Sequence, residues 1–237
     1  LKDLKNFSVS RGFMDTMENT SAVHVIIPVK RLDKSKSRLS KILSEELRVK
    51  LTLQMFWDVL NSVRRVRDVR KVLVVTPDVE VSSFTGKLGC MVLLEKSEGG
   101  VNKAVSYAID CFLKERVSRV LVLPSDIPLI QPKDIRMVME MSGNMPSVVI
   151  SPSMRFDGTN LLFLNPSTVI PTRYEEDSFH SHLVEAYKRR LKVGIYLSKN
   201  VMLDVDTPDD LAEFLKIESD TYSYRFLREC LAPKLRV

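Results

Sequence analysis

HVIIPVKRLDKSKSRLSKIL, His24 to Leu43, begins as a run of apolar, mostly β-branched residues and empties into Lys30, Arg31, Lys34, Lys36 and Arg38. A short continuous apolar run is the pattern of a strand buried on both faces, as in parallel sheets flanked by helices. In such open α/β sheets, ligands sit beyond the carboxyl ends of the strands. A cationic loop placed directly after the strand therefore stands where an anion would bind, with Arg as a planar fork and Lys as a point charge. Charge runs are also commonly solvated surface, so the loop needs corroboration before it carries a function.

The rest of the chain repeats the alternation. SEELRVKLTLQMFWDVLNSVRRV (44–66) predicts a helix with Ser44 as N-cap and a stripe of Leu47, Leu51, Met55, Val59 and Val63. Trp57 belongs to its packed surface. KVLVVTP (71–77) and CMVLLE (90–95) read as buried strands, VNKAVSYAIDCFLKER (101–116) as a helix, and RVLVLPSDIPL (119–129) as the strongest strand. QPKDIRMVMEMSG (131–143) has proline at a helix start and glycine at its end. SVVISPS (147–153), NLLFLNP (160–166) and VGIYL (193–197) are further strands around a helix at 178–191. MLDVDTPDDLAEFL (202–215) predicts a short strand with a capped helix behind it. Alternation from 23 to 142 implies βαβ units and a mostly parallel sheet, and the strand-rich stretch 147–201 adds an antiparallel pair. The expected organisation is one α/β domain over 23–215, with residues 1–22 set aside as a poorly ordered extension. The tail 216–237 is expected to pack on the domain or on a second subunit, as in a homodimer.

Composition removes several classes. At 237 residues, 44% hydrophobic and 28% charged, the chain has the make-up of an ordinary globular domain. It has no run of eighteen apolar residues, so no membrane span is expected. Three cysteines, far apart and without a CxxC, argue against a disulfide framework or a structural zinc and place the chain in a reducing cytoplasm. The net charge of +6 favours anionic partners, nucleic acid or small phosphates alike. A nucleic-acid binder is the lesser reading, because neither an RNP-type aromatic motif nor a basic recognition helix is evident. The Walker pattern GxxxxGK[ST] is also missing.

Two acidic motifs follow later strands. In LPSDIPLI, Asp126 stands between Pro124 and Pro128, which stiffen the turn that carries its carboxylate. An Asx turn explains the fragment equally well. In LDVDTPDDL, Thr207 is a suitable N-cap, Pro208 a suitable first helical residue, and Asp209 and Asp210 favour a first turn. Asp204 and Asp206 have no such explanation. Two residues apart on an extended segment, their carboxylates point the same way and repel unless a cation intervenes. Hard oxygen ligands of this kind suit Mg²⁺, which takes one or two carboxylates plus substrate phosphates.

PVKRLDKSKSRLS, SEGGVNKAV, LPSDIPLI, DGTNLLFLNP, SFHSH and DVDTPDDL, in this order over about residues 23–215, resemble the 2-phospho-L-lactate guanylyltransferase family of deazaflavin coenzyme biosynthesis in methanogens and actinobacteria. The resemblance implies a Rossmann-like nucleotide-diphospho-sugar transferase fold and transfer of GMP from GTP to 2-phospholactate, or to phosphoenolpyruvate in some bacterial members, with release of pyrophosphate. It implies that Lys30, Lys36 and Arg38 meet phosphates. It assigns Ser97, Gly99, Gly100 and Asn102 to the nucleoside, and Asp126, Asp204 and Asp206 to Mg²⁺. Thr159, Asn160, Ser178 and His182 fall on the acceptor side, with Lys30, Lys36, Arg38 and Asp126 as the catalytic set. One departure stands out: Glu175 and Asp177 occupy positions where the family commonly has glycines. Rival readings on the same fold are a molybdopterin or sugar-1-phosphate nucleotidyltransferase and a glycosyltransferase. The nucleotidyltransferases among them usually open on a glycine-rich loop, and PVKRLDKSKSRL has no glycine.

Overall fold

The computed structural model describes residues 22–95, 99–115 and 117–231. In chain order its elements are β1 (Val23–Pro28), α1 (Glu45–Arg64), β2 (Val69–Thr76), α2 (Val79–Lys87), β3 (Met91–Leu94), α3 (Val101–Lys114), β4 (Val120–Val122) and α4 (Pro132–Ser142). They continue with β5 (Ser147–Pro152), β6 (Thr159–Asn165), α5 (Ser178–Lys188), β7 (Lys192–Ile195), α6 (Lys199–Met202), α7 (Pro208–Lys216) and α8 (Tyr222–Leu231).

The strands form one sheet in the order β3-β2-β1-β4-β6-β5-β7. β6 runs antiparallel to both of its neighbours, and every other pairing is parallel. Apolar runs arise because both faces are covered. Val25 and Ile27 of β1 pack on one side with Phe56 and Val59 of α1 and with Ile135 of α4. Ile26 packs on the other side with Ala104, Val105 and Phe112 of α3 and with Phe179 and Ala186 of α5. The same in-and-out split divides Leu161 and Phe163 from Leu162 and Leu164 on β6. A third cluster lies under one end of the sheet, where Leu39, Leu43, Leu51, Met55, Leu129, Leu203, Val205, Leu211, Phe214 and Leu227 are buried together.

Some elements differ from expectation. β4 has only three residues, because Pro124 has no N–H to continue the ladder after Leu123 N–H donates to Ile26 O at 3.0 Å. The segment around Met202 is the short helix α6, and Leu203 to Asp206 is extended without a strand partner. α2 was not anticipated; Asp78 starts it by accepting from Glu80 N–H at 2.9 Å and Val81 N–H at 3.2 Å. The tail forms α8, which lies on α1 of its own chain. Buried Asp58 of α1 caps it, accepting from Tyr222 N–H at 2.8 Å, Ser223 N–H at 2.9 Å and the Ser223 hydroxyl at 2.6 Å.

Candidate active site

Topology brings the expected residues to one edge. β1, β2, β3 and β4 are parallel, so the loops after them share the carboxyl end of the sheet. β6 runs the other way, which places its first residues, Thr159 and Asn160, at that same edge. β5 and β7 also end there, delivering the 153–158 hairpin and the 196–206 segment.

After β1 the chain makes two short 3-10 turns, Leu32–Lys34 and Ser37–Leu39. Between them Lys36 adopts left-handed backbone angles, φ 52° and ψ 37°. Leu32 and Leu39 anchor the turns in the core, and Asp78 Oδ2 accepts from Leu32 N–H at 2.9 Å. The Lys36 side chain is thereby turned inward, only 6% exposed, and donates to Asp126 Oδ2 at 2.6 Å while lying 3.5 Å from Asp206 Oδ1. Arg38 donates to Asp206 Oδ2 at 2.8 Å. Lys30 is exposed. Burial pushes the Lys36 ammonium down, but the carboxylates of Asp126, Asp206 and Asp204 outweigh burial and hold it above its ordinary value.

The acids reach this point by alternation. Leu203 and Val205 enter the apolar cluster below, so Asp204 and Asp206 share the opposite side. Val205 N–H donates to Asp126 O at 3.0 Å, tying the two acidic segments together. Asp204 Oδ1 accepts from Asn160 Nδ2 at 3.0 Å, and that amide also donates to Met202 O at 2.9 Å. Burial and the neighbouring Asp126 charge raise Asp204 above the usual carboxylate range, against the Asn160 bond. Asp210 caps α7 by accepting from Thr207 N–H at 2.8 Å, as its position in the first turn suggested. Among the described residues, no group of three or more His, Cys, Asp or Glu side chains is arranged to hold a metal ion. Where Asp126 and Asp206 meet, Lys36 supplies the positive charge.

The residues expected on the acceptor side form a buried network beside these acids. His182 is fully buried, and its Nε2 accepts from Arg173 N–H at 2.8 Å. That bond leaves the proton on Nδ1, which donates to Thr159 Oγ1 at 3.0 Å, and Ser178 donates to the same oxygen at 3.2 Å. Burial lowers His182 to about 4, so the ring is neutral and shapes the wall. Gly100 caps α3 at φ 82°, a conformation that favours glycine. Asn102 in the first turn of α3 accepts from Tyr174 N–H at 2.7 Å and donates to Glu175, which accounts for that acid. Asp177 stands at φ 55°, a glycine-like position that Asp tolerates, and bonds His180 Nδ1 at 2.6 Å. Ser97 lies outside the described residues.

One residue at this edge was not singled out by the sequence. Arg155, in the β5–β6 hairpin, contacts Asp210 Oδ1 at 3.3 Å and Asp157 Oδ2 at 3.5 Å. Only the antiparallel course of β6 would have flagged it, since that course puts the hairpin at the ligand edge.

A structure from Desulfovibrio desulfuricans G20, assigned as a candidate nucleotide-diphospho-sugar transferase, superposes with a TM-score of 0.72 over 89% of this chain and 95% of that one at 19% identity. In fold, the chain is of the nucleotide-diphospho-sugar transferase type. More narrowly, the chain belongs to the family described as "Guanylyl transferase CofC like", whose model matches residues 23–232. A phosphoenolpyruvate guanylyltransferase of Rubrobacter xylanophilus is 38% identical over 192 residues, which is 81% of this chain and 92% of that protein. A 2-phospho-L-lactate guanylyltransferase of Methanocaldococcus jannaschii is 37% identical over 205 residues, 86% and 87% of the two chains.

Proposed function

We propose that this chain transfers GMP from GTP to a small phosphorylated carboxylic acid, 2-phospho-L-lactate or phosphoenolpyruvate, and releases pyrophosphate. The observation that carries the reading is the buried Lys36 ammonium bridging Asp126 and Asp206 at the carboxyl edge of the sheet, with Arg38 beside it. The relatives, a phosphoenolpyruvate and a 2-phospho-L-lactate guanylyltransferase, supply the nucleotide and the acceptors.

The acceptor's phosphate has a second pKa of about 6, so at neutral pH it is mostly a dianion and needs no general base. One of its oxygens attacks the α-phosphorus of GTP. The bond from that phosphorus to the bridging oxygen breaks, and pyrophosphate leaves with the electron pair. Lys30, Lys36 and Arg38 oppose the charge on the phosphates, while Gly99, Gly100 and Asn102 at the start of α3 meet the nucleoside. Asn160 fixes Asp204, and the wall of Thr159, Ser178 and His182 beside it orients the acceptor side.

The donor set suits Mg²⁺. Burial and the neighbouring Asp126 carboxylate raise Asp204, and a buried carboxylate pair of this kind would gain from a hard cation. Asp126 and Asp204, with Asp206 adjacent, would hold it, and it would supply charge neutralisation on the phosphate oxygens. The test is a pyrophosphate-release assay crossing four nucleoside triphosphates with phospholactate, phosphoenolpyruvate and phosphoglycerate, with Mg²⁺ and with a chelator. Release with GTP plus one of these acids is expected. Release with a different triphosphate in place of GTP, or none with any acid, would overturn the assignment.

A further inference from the structure

We propose that Arg155 recognises the acceptor's carboxylate and thereby sets acceptor specificity, an inference that rests on the function proposed above. Its backbone is fixed on both sides. Ser153 N–H donates to Gly158 O at 2.9 Å across the hairpin, and Met154 N–H donates to Met202 O at 2.9 Å, two residues from Asp204. Phe156 follows at φ 61° and turns the hairpin back.

The side chain is 46% exposed and, among the described residues, makes long, single contacts with Asp210 and Asp157. A guanidinium has five donors, so most of its fork remains free for a ligand. Its partner Asp210 also accepts from Asp206 N–H at 3.2 Å, and the Met154–Met202 bond holds the hairpin two residues from Asp204, so Arg155 stands beside the acids. Lys36 and Arg38 lie on the Asp126 and Asp206 side. These acceptors carry two anionic groups, a phosphate and a carboxylate, on one carbon, so they need a second cation apart from those that face phosphate. A planar fork beside the site matches a carboxylate in two places at once, which a lysine cannot do.

The test compares 2-phospholactate with isopropyl phosphate, which has a methyl where the carboxylate was. Wild-type enzyme is expected to prefer phospholactate strongly. Arg155→Gln should raise the KM for phospholactate roughly 10- to 100-fold, the range of a lost charged hydrogen bond. The KM for GTP and the turnover of isopropyl phosphate should stay within about twofold of wild type. Arg155→Lys keeps the charge without the fork and should recover only part of the preference. Equal losses with both acceptors, accompanied by a drop in Tm, would make Arg155 a staple to Asp210 and overturn the proposal. A wild-type enzyme indifferent to the carboxylate would overturn it while leaving GMP transfer standing. No pyrophosphate with any acid would overturn both.

Discussion

Asp204→Asn should make the protein more stable at neutral pH while removing its activity. Asp204 is a largely buried carboxylate whose direct side-chain partner is the Asn160 amide, and it faces the like charge of Asp126. The substitution keeps the shape and keeps an oxygen to accept from Asn160. It removes the repulsion and the cost of burying a charge, a change worth about 1–2 kcal/mol. For a chain of this length that is a Tm gain of roughly 2–6 °C. The pH dependence fixes the cause. A carboxylate whose folded pKa is raised contributes stability below its unfolded value and loses that contribution as pH rises through the folded value. The gain from Asp204→Asn should therefore be largest at pH 7 and vanish below about pH 4, where the wild-type group is protonated in both states. Thermal unfolding of both proteins in a chelator across pH 4–8, beside pyrophosphate release, measures both halves. A mutant less stable at pH 7, or a Tm difference independent of pH, would refute the electrostatic reasoning.

Asp126→Asn keeps the Val205–Asp126 backbone bond but weakens the Lys36 contact, so pyrophosphate release should fall about 100-fold or more while Tm changes by a few degrees at most. Asp58→Ala removes three bonds that start α8 and should lower stability by about 3 kcal/mol, read as a shifted denaturant midpoint. His24 and His182 are both buried and lowered to about 4, so the unfolded chain takes up protons first as pH falls. Each ring should subtract about 3 kcal/mol between pH 6.5 and 4, and His182→Gln should flatten that slope in a pH series of unfolding curves.

The fold was legible because its strands are covered on both faces, which turns β1, β2, β5 and β6 into unbroken apolar runs. α2 was not, since VEVSSFTGK is rich in β-branched residues and Gly86; it forms because Asp78 caps it and Val81 is buried. α8 was opaque for a different reason: its cap, Asp58, comes from α1, 164 positions earlier in the chain. In the site, spacing announced Asp204 and Asp206, and the prolines announced Asp126. The pairing of Lys36 with two of these acids depends on a single left-handed residue in the basic loop, for which the run of Lys, Arg and Ser has no local signal. Glu175 looked misplaced beside an anionic acceptor, yet its partner is the Asn102 amide, a contact that only the tertiary fold creates.

Three carboxylates gathered against two cations are held in place by what lies beneath them. Leu39 follows Arg38, Leu203 and Val205 flank Asp204, and Leu129 follows Asp126 by three residues; all four are buried in one cluster. Apolar burial thus anchors the same short segments whose polar side chains repel, and the repulsion cannot relax by moving the backbone. That arrangement has a consequence for binding. Lys36 and Arg38 are engaged by Asp126 and Asp206 in the free protein, so a polyphosphate that recruits them leaves the acids with less compensation. The acids then attract a cation more strongly than before. A cation on the acids, in turn, frees the lysine and arginine for phosphate. Linkage requires that the two effects be equal, so anion and cation must strengthen each other's binding at this edge by the same factor.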